Sequence, residues 1–106
     1  MFSQMAYSFK DYLGEEIFLT AQVYQVILVK HLEVSRFFDR VGDTLMNPDE
    51  VRKSVTDSRV RLYYRYYPDV LDGKFVVVVV KRAEGIFIST IYATDRIKEG
   101  EILWKK

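Results

Sequence analysis

The apolar positions of this chain change period near residue 50. Before that point, Glu16-Ile17-Phe18-Leu19-Thr20 reads as a short strand, and Thr20 can cap a helix that follows. Val23, Val26 and Ile27 then fall at helical spacing, with Lys30 and His31 at the helix end. A second helix is predicted around Phe37, Phe38, Val41 and Leu45, with Arg36, Asp39, Arg40 and Asp43 on its wet side. Pro48 ends it, because the residue before a proline is pushed out of the helical region. Residues 1–15 are predicted as an N-terminal arm or a short extra helix carrying Phe2, Met5, Tyr7, Phe9 and Tyr12.

Beyond residue 50 the period is two. Val51 opens a short strand or turn. In residues 59–67, Val60, Leu62, Tyr64 and Tyr66 face one way, and Arg59, Arg61, Tyr63, Arg65 and Tyr67 the other. Asp72-Gly73 is a hairpin signal. Phe75 with Val76 to Val80 has no alternation, which predicts a central strand buried on both faces. Arg82-Ala83-Glu84-Gly85 turns the chain. Ile86 to Ala93 is the next strand, with Ile86, Ile88, Thr90 and Tyr92 expected on one face, and Glu101 to Trp104 adds a last one. The expected class is α+β, helices on one face of a sheet. No repeat, low-complexity tract or linker interrupts residues 1–106, so one domain is expected. Two helices cover one sheet face only. The arm, a homodimer partner or another bound chain is expected over the other face of the valine strand.

Composition removes several chemistries. The 106 residues include no cysteine and one histidine. Disulfides, thiolate metal sites, a cysteine nucleophile and a two-histidine acid–base pair are excluded. No glycine-rich phosphate loop or calcium-loop spacing is present, so no nucleotide cofactor or metal is expected. Asp49-Glu50 and Glu15-Glu16 read as solvated turns or caps. The longest apolar run, Phe75 to Val80, is far short of the roughly 20 residues that span a bilayer. The start lacks the cationic and apolar blocks of a signal peptide, so no membrane and a cytoplasmic location are expected.

The net charge of +1 hides an asymmetry. Residues 52–82 hold eight basic and three acidic side chains, a local +5. Arg59, Arg61 and Arg65 alternate with Tyr63 and Tyr67, and Lys81 and Arg82 end the valine strand. Arginine forks bind phosphate and tyrosine rings stack on unpaired bases, so such a row can hold single-stranded RNA. The same row also serves as an exposed sheet face stabilised by cross-strand pairs. His31 is the side-chain type that moves protons near neutral pH, or else a cation complementing a helix C-terminus. Thr90 and Tyr92 stand two apart and can aim hydroxyls into one cleft, or reflect β-propensity alone.

The order of signals resembles the phage-type barnase–EndoU–colicin–RelE-like nuclease domains over about residues 16–104. The motifs are Leu19-Thr20, the helix closing on Val29-Lys30-His31-Leu32-Glu33, Thr44-Leu45-Met46-Asn47-Pro48-Asp49-Glu50-Val51, Leu62-Tyr63-Tyr64-Arg65, Ile88-Ser89-Thr90-Ile91-Tyr92 and Ile97-Lys98-Glu99-Gly100. Leu32 stands where members often have proline, and Ile91 where they often have alanine. The resemblance implies helices packed on a four-stranded antiparallel β-sheet. It implies metal-independent RNA cleavage through the ribose 2′-hydroxyl, without a cofactor. The protein would be an RNA endonuclease and the toxin of a toxin–antitoxin pair, with RNA and an antitoxin protein as partners. His31 would be the acid or base, and Arg65 and Lys81 would stabilise phosphate charge. Thr90 and Tyr92 would position phosphate or ribose. Arg59, Arg61, Tyr63, Tyr67 and Arg82 would extend the RNA track, if their face is the cleft face. The alternatives are an inactive nucleic-acid-binding module and a structural interaction domain.

Overall fold

A seven-stranded mixed sheet organises residues 5–106, the part of the chain that the computed structural model describes. The strands are β1 (Met5–Lys10), β2 (Glu16–Thr20), β3 (Glu50–Lys53), β4 (Val60–Tyr67), β5 (Lys74–Arg82), β6 (Ile86–Thr94) and β7 (Glu101–Lys105). Their order across the sheet is β1-β2-β6-β5-β4-β3-β7. Neighbours are antiparallel except β2 and β6, which run parallel and meet through one pair, Phe18 with Phe87. The expectation of helices on a four-stranded antiparallel sheet is overturned. The antiparallel meander β4–β5–β6 is present, but strands flank it on both sides and one junction is parallel.

The extra strands come from short segments with weak periodicity. β1 forms where an arm or helix was expected, because Asp11 folds the chain back into a hairpin. Its carboxylate accepts from the backbone N–H of Leu13 and of Glu15, at 3.0 and 2.9 Å. Gly14 completes the turn at φ +80°, a conformation that costs glycine little. Phe2 lies outside the described residues.

Helix α1 (Ala21–Lys30) begins as expected: the Thr20 hydroxyl accepts from the Val23 N–H at 3.2 Å. It ends at His31, whose backbone N–H donates to the Ile27 carbonyl. The second helix is shorter than the pattern suggested. Leu32–Arg36 and Phe38–Arg40 are 3-10 turns, and only Val41–Met46 forms α2. Phe37, at φ −135°, separates the two turns and enters the core, while Phe38 packs on Tyr7, Phe9 and Tyr24. Two different apolar targets on adjacent residues break the helix. Among the described residues, no helix is long and apolar enough to cross a membrane.

The main core lies between these helices and one face of the sheet. Ile27, Val34, Phe37, Val41 and Leu45 meet Tyr63, Tyr67, Val76, Val78, Val80, Ile88 and Ile91. Val76, Val77, Val78 and Val80 are all buried within this one chain. The crossover from β6 to β7 passes along the second face, where the Lys98 N–H donates to the Tyr64 hydroxyl at 3.2 Å.

Candidate active site

A β-bulge decides which side chains share the second face. Val79 pairs with Thr90, but Val80 pairs with Ile88, so Ser89 is an extra residue on β6. Ile88 and Thr90 were expected on one face; the bulge puts Ile88 in the core and Thr90 opposite it. Bulges of this kind re-aim side chains and are common beside active sites. In register, Leu62, Val79 and Thr90 lie side by side on the second face, as do Tyr64, Val77 and Tyr92.

This face holds a cleft of about 420 Å³. Val60, Leu62 and Val79 form its apolar floor. Tyr92 lies toward the Tyr64–Val77 end with Lys98 beside its ring, Thr90 stands level with Leu62 and Val79, Ser54, Val55 and Thr56 line the end beside Val60, and Glu99 completes the wall. The Tyr92 hydroxyl is buried and has no hydrogen-bond partner among the described residues. Leaving such a group unmet costs roughly 1–3 kcal/mol. Burial also pushes its pKa above that of an ordinary phenol, so Tyr92 stays a neutral donor through neutral pH. The Lys98 ammonium stands 5.6 Å from the Tyr92 ring centre and joins no ion pair among the described residues. The His31 ring lies 5.9 Å from that of Tyr92, tilted by 32°. Glu33 sits 3.7 Å from His31 Nδ1.

The framework explains this convergence. α1 carries His31 to the β6 side of the sheet, and the crossover brings Lys98. Arg52 holds the crossover through the Lys98 carbonyl at 3.2 Å, and is itself paired with buried Glu50. Gly100 lies so close to Lys53 that a Cβ would stand 2.3 Å from the Lys53 carbonyl oxygen.

Most of the remaining candidates lie elsewhere. Arg61, Tyr63, Arg65 and Tyr67 occupy the helix-side face of β4. Tyr63 is buried and donates to Asp11 at 2.7 Å; Tyr67 donates to Asp43 at 2.8 Å. Burial, reinforced by these carboxylates, raises the pKa of Tyr63 and of Tyr67. Arg65 pairs with Asp43 at 3.1 Å and borders a separate groove of about 350 Å³ with Tyr12, Asn47, Trp104 and Lys106. Arg82 pairs with Glu15, and Arg59 with Asp57. Lys81 lies on the cleft side of the sheet in register with Val60, 3.5 Å from Asp57. Seven of the eight basic residues between Arg52 and Arg82 are thus in ion pairs, Arg61 excepted. The local +5 is largely neutralised by folding. The cation at the cleft is Lys98, which sequence reasoning placed in a motif but gave no role. Its signal was Gly100, the close-packed residue that follows it.

A sheet cleft lined by a buried phenol and by an ammonium without an ion pair among the described residues, with a histidine ring beside the phenol, fits a nuclease-like domain. The chain belongs to the phage-Barnase-EndoU-ColicinE5/D-RelE like nuclease2 family, whose model matches residues 3–105. No curated protein and no solved structure matches it. Membership points to a nuclease function.

Proposed function

We propose that the protein is an endoribonuclease that cleaves RNA by attack of the 2′-hydroxyl on the adjacent phosphate. The observation that carries this reading is the unmet Tyr92 hydroxyl, buried in a cleft beside Thr90, Lys98 and His31. A phosphate oxygen would supply the missing acceptor. His31 takes the proton of the 2′-hydroxyl as its oxygen bonds to phosphorus. The P–O5′ bond breaks, and Tyr92 donates to the departing oxygen. Lys98 balances charge on the non-bridging oxygens, and Thr90 orients the phosphate. The products are a 2′,3′-cyclic phosphate and a free 5′-hydroxyl; Tyr92 then regains a proton from solvent, and His31 releases the one it took. Lys81 and Arg59 border the loop 54–58, where both pair with Asp57. No step requires a metal.

The test is incubation with total RNA in excess chelator, read for fragments ending in cyclic phosphate. Cleavage is expected there, and loss of it in His31→Ala. Cleavage that appears only with added Mg²⁺ would sink the mechanism. A restrained RNA-cleaving toxin is the cellular role this chemistry fits. Induction of the parent, but not of His31→Ala, should then arrest growth.

A further inference from the structure

The cleft is longer than one phosphate needs. Tyr92 and Lys98 stand at one end, whereas Val60, Leu62 and Val79 form an apolar floor that runs toward the loop Ser54-Val55-Thr56. Val55 is 74% exposed at that rim. The loop around it is firmly held. The Thr56 N–H donates to the Ser54 hydroxyl at 3.3 Å, and the two hydroxyls meet at 3.1 Å. Asp57 accepts from the Arg59 N–H at 2.9 Å and lies 3.5 Å from Lys81. The Ser54 N–H donates to the Val60 carbonyl, and the Val60 N–H to that of Asp57. The loop therefore presents two hydroxyls and a valine in a fixed arrangement.

We infer that this end of the cleft is a nucleobase subsite that gives the nuclease a base preference, an inference that rests on the RNA-cleaving reading above. An unpaired base has two apolar faces, which Val60, Leu62 and Val79 below and Val55 at the rim would cover. Its edge carries donors and acceptors. Each hydroxyl has one donor and two acceptor positions, and their mutual bond leaves several of these open to the base edge. The cavity volume lies within the range of small-ligand sites. Lys98 stands at the catalytic end, beside Tyr92, where the phosphate attached to that base would lie. Asp57 is a positioning residue: it touches neither base nor phosphate but fixes the loop through Arg59 and Lys81.

The experiment is a chemical-shift titration of the full chain with the four nucleoside 3′-monophosphates and with inorganic phosphate. The expected result is a spread of about fivefold or more among the four bases, roughly one net hydrogen bond. Shifts should concentrate at Val55, Thr56, Leu62 and Val79. Thr56→Val and Ser54→Ala should each compress the spread, while His31→Ala should keep it. Equal affinities for the four nucleotides, or affinities no better than that of phosphate, would overturn the subsite. RNA cleavage combined with equal affinities would remove the subsite and leave the nuclease. A base spread in a protein that cleaves no RNA would support the subsite and remove the catalytic reading.

Discussion

The two faces of the sheet carry similar residue types and use them in opposite ways. On the helix side, Tyr63, Tyr67, Arg65 and Arg82 each reach a carboxylate: Asp11, Asp43, Asp43 and Glu15. On the cleft side, the Tyr92 hydroxyl reaches nothing and Lys98 pairs with no acid among the described residues. A satisfied polar group stabilises the fold; an unsatisfied one destabilises it unless a ligand completes it. The contrast separates the structural tyrosines, Tyr63 and Tyr67, from Tyr92, which is free to meet a substrate; the Nε atoms of Arg65 and Arg82 also lack a hydrogen-bond partner among the described residues.

Substitutions can break that contrast at several places. The largest effect is expected from His31→Ala, a fall in RNA cleavage of about 10²–10⁴-fold at an unchanged unfolding midpoint. An unaltered cleavage rate would take His31 out of the site. Tyr92→Phe should lower cleavage about 10²–10³-fold while stability holds or rises, because it removes a buried group without a partner. Tyr63→Phe should do the reverse. It removes a donor to the buried Asp11 carboxylate, so denaturant unfolding should show a loss of about 1.5–3 kcal/mol with cleavage per folded molecule retained. If Tyr63→Phe abolished cleavage and Tyr92→Phe only unfolded the protein, the assignment of faces would be reversed. Gly100→Ala forces a Cβ against the Lys53 carbonyl and should displace Lys98. Both activity and thermal stability should then fall together, the former by about tenfold or more.

The smallest effects lie in the pH dependence of stability. Burial alone would raise the Asp43 carboxyl. Hydrogen bonds from Asn47 and Tyr67, with the Arg65 and Arg40 charges, outweigh it and lower the pKa. The Asp57 carboxyl is held at about 2, first by the Arg59 guanidinium and then by the Arg59 N–H. A depressed pKa contributes stability that is full above the unfolded value of 3.8 and lost as pH falls through the folded one. Tyr63 and Tyr67 have the opposite sign: their raised values contribute below the unfolded value of 10.0 and are lost as pH rises past it. Unfolding midpoints should be flat between these limits and fall outside both. Asp43→Asn should weaken the acid limb, and Tyr63→Phe the alkaline one.

Much of this was legible in the sequence. The Thr20 cap, the strict alternation of residues 59–67 and the two-faced burial of the valine strand follow from local pattern, and each is present. What was not legible depends on contacts between distant residues. The bulge at Ser89 leaves the spacing of Ile88, Thr90 and Tyr92 intact and yet moves Ile88 to the opposite face. The β1–β2 hairpin needs Asp11 to serve the turn and the Tyr63 hydroxyl together. The basic stretch looked like a phosphate track because its carboxylate partners lie mostly outside it, at Glu15, Asp43, Glu50, Asp95 and Glu101. Of the candidate site, His31, Thr90 and Tyr92 were visible by residue type and motif order. Lys98 was not, since only the crossover brings it over Tyr92.

That crossover also sets when competence arises. His31 and Lys98 stand far apart in the chain and come together around the Tyr92 ring only when β6 has paired and the return strand has docked on β3. Contacts of such long sequence separation form late, after the entropy of closing a large loop has been overcome. A nascent chain halted before Lys98, or one clipped in residues 95–100, would retain the meander and the helices yet carry no assembled cleft. Under the proposed RNA cleavage, catalytic power would then be withheld from every partly made copy during translation.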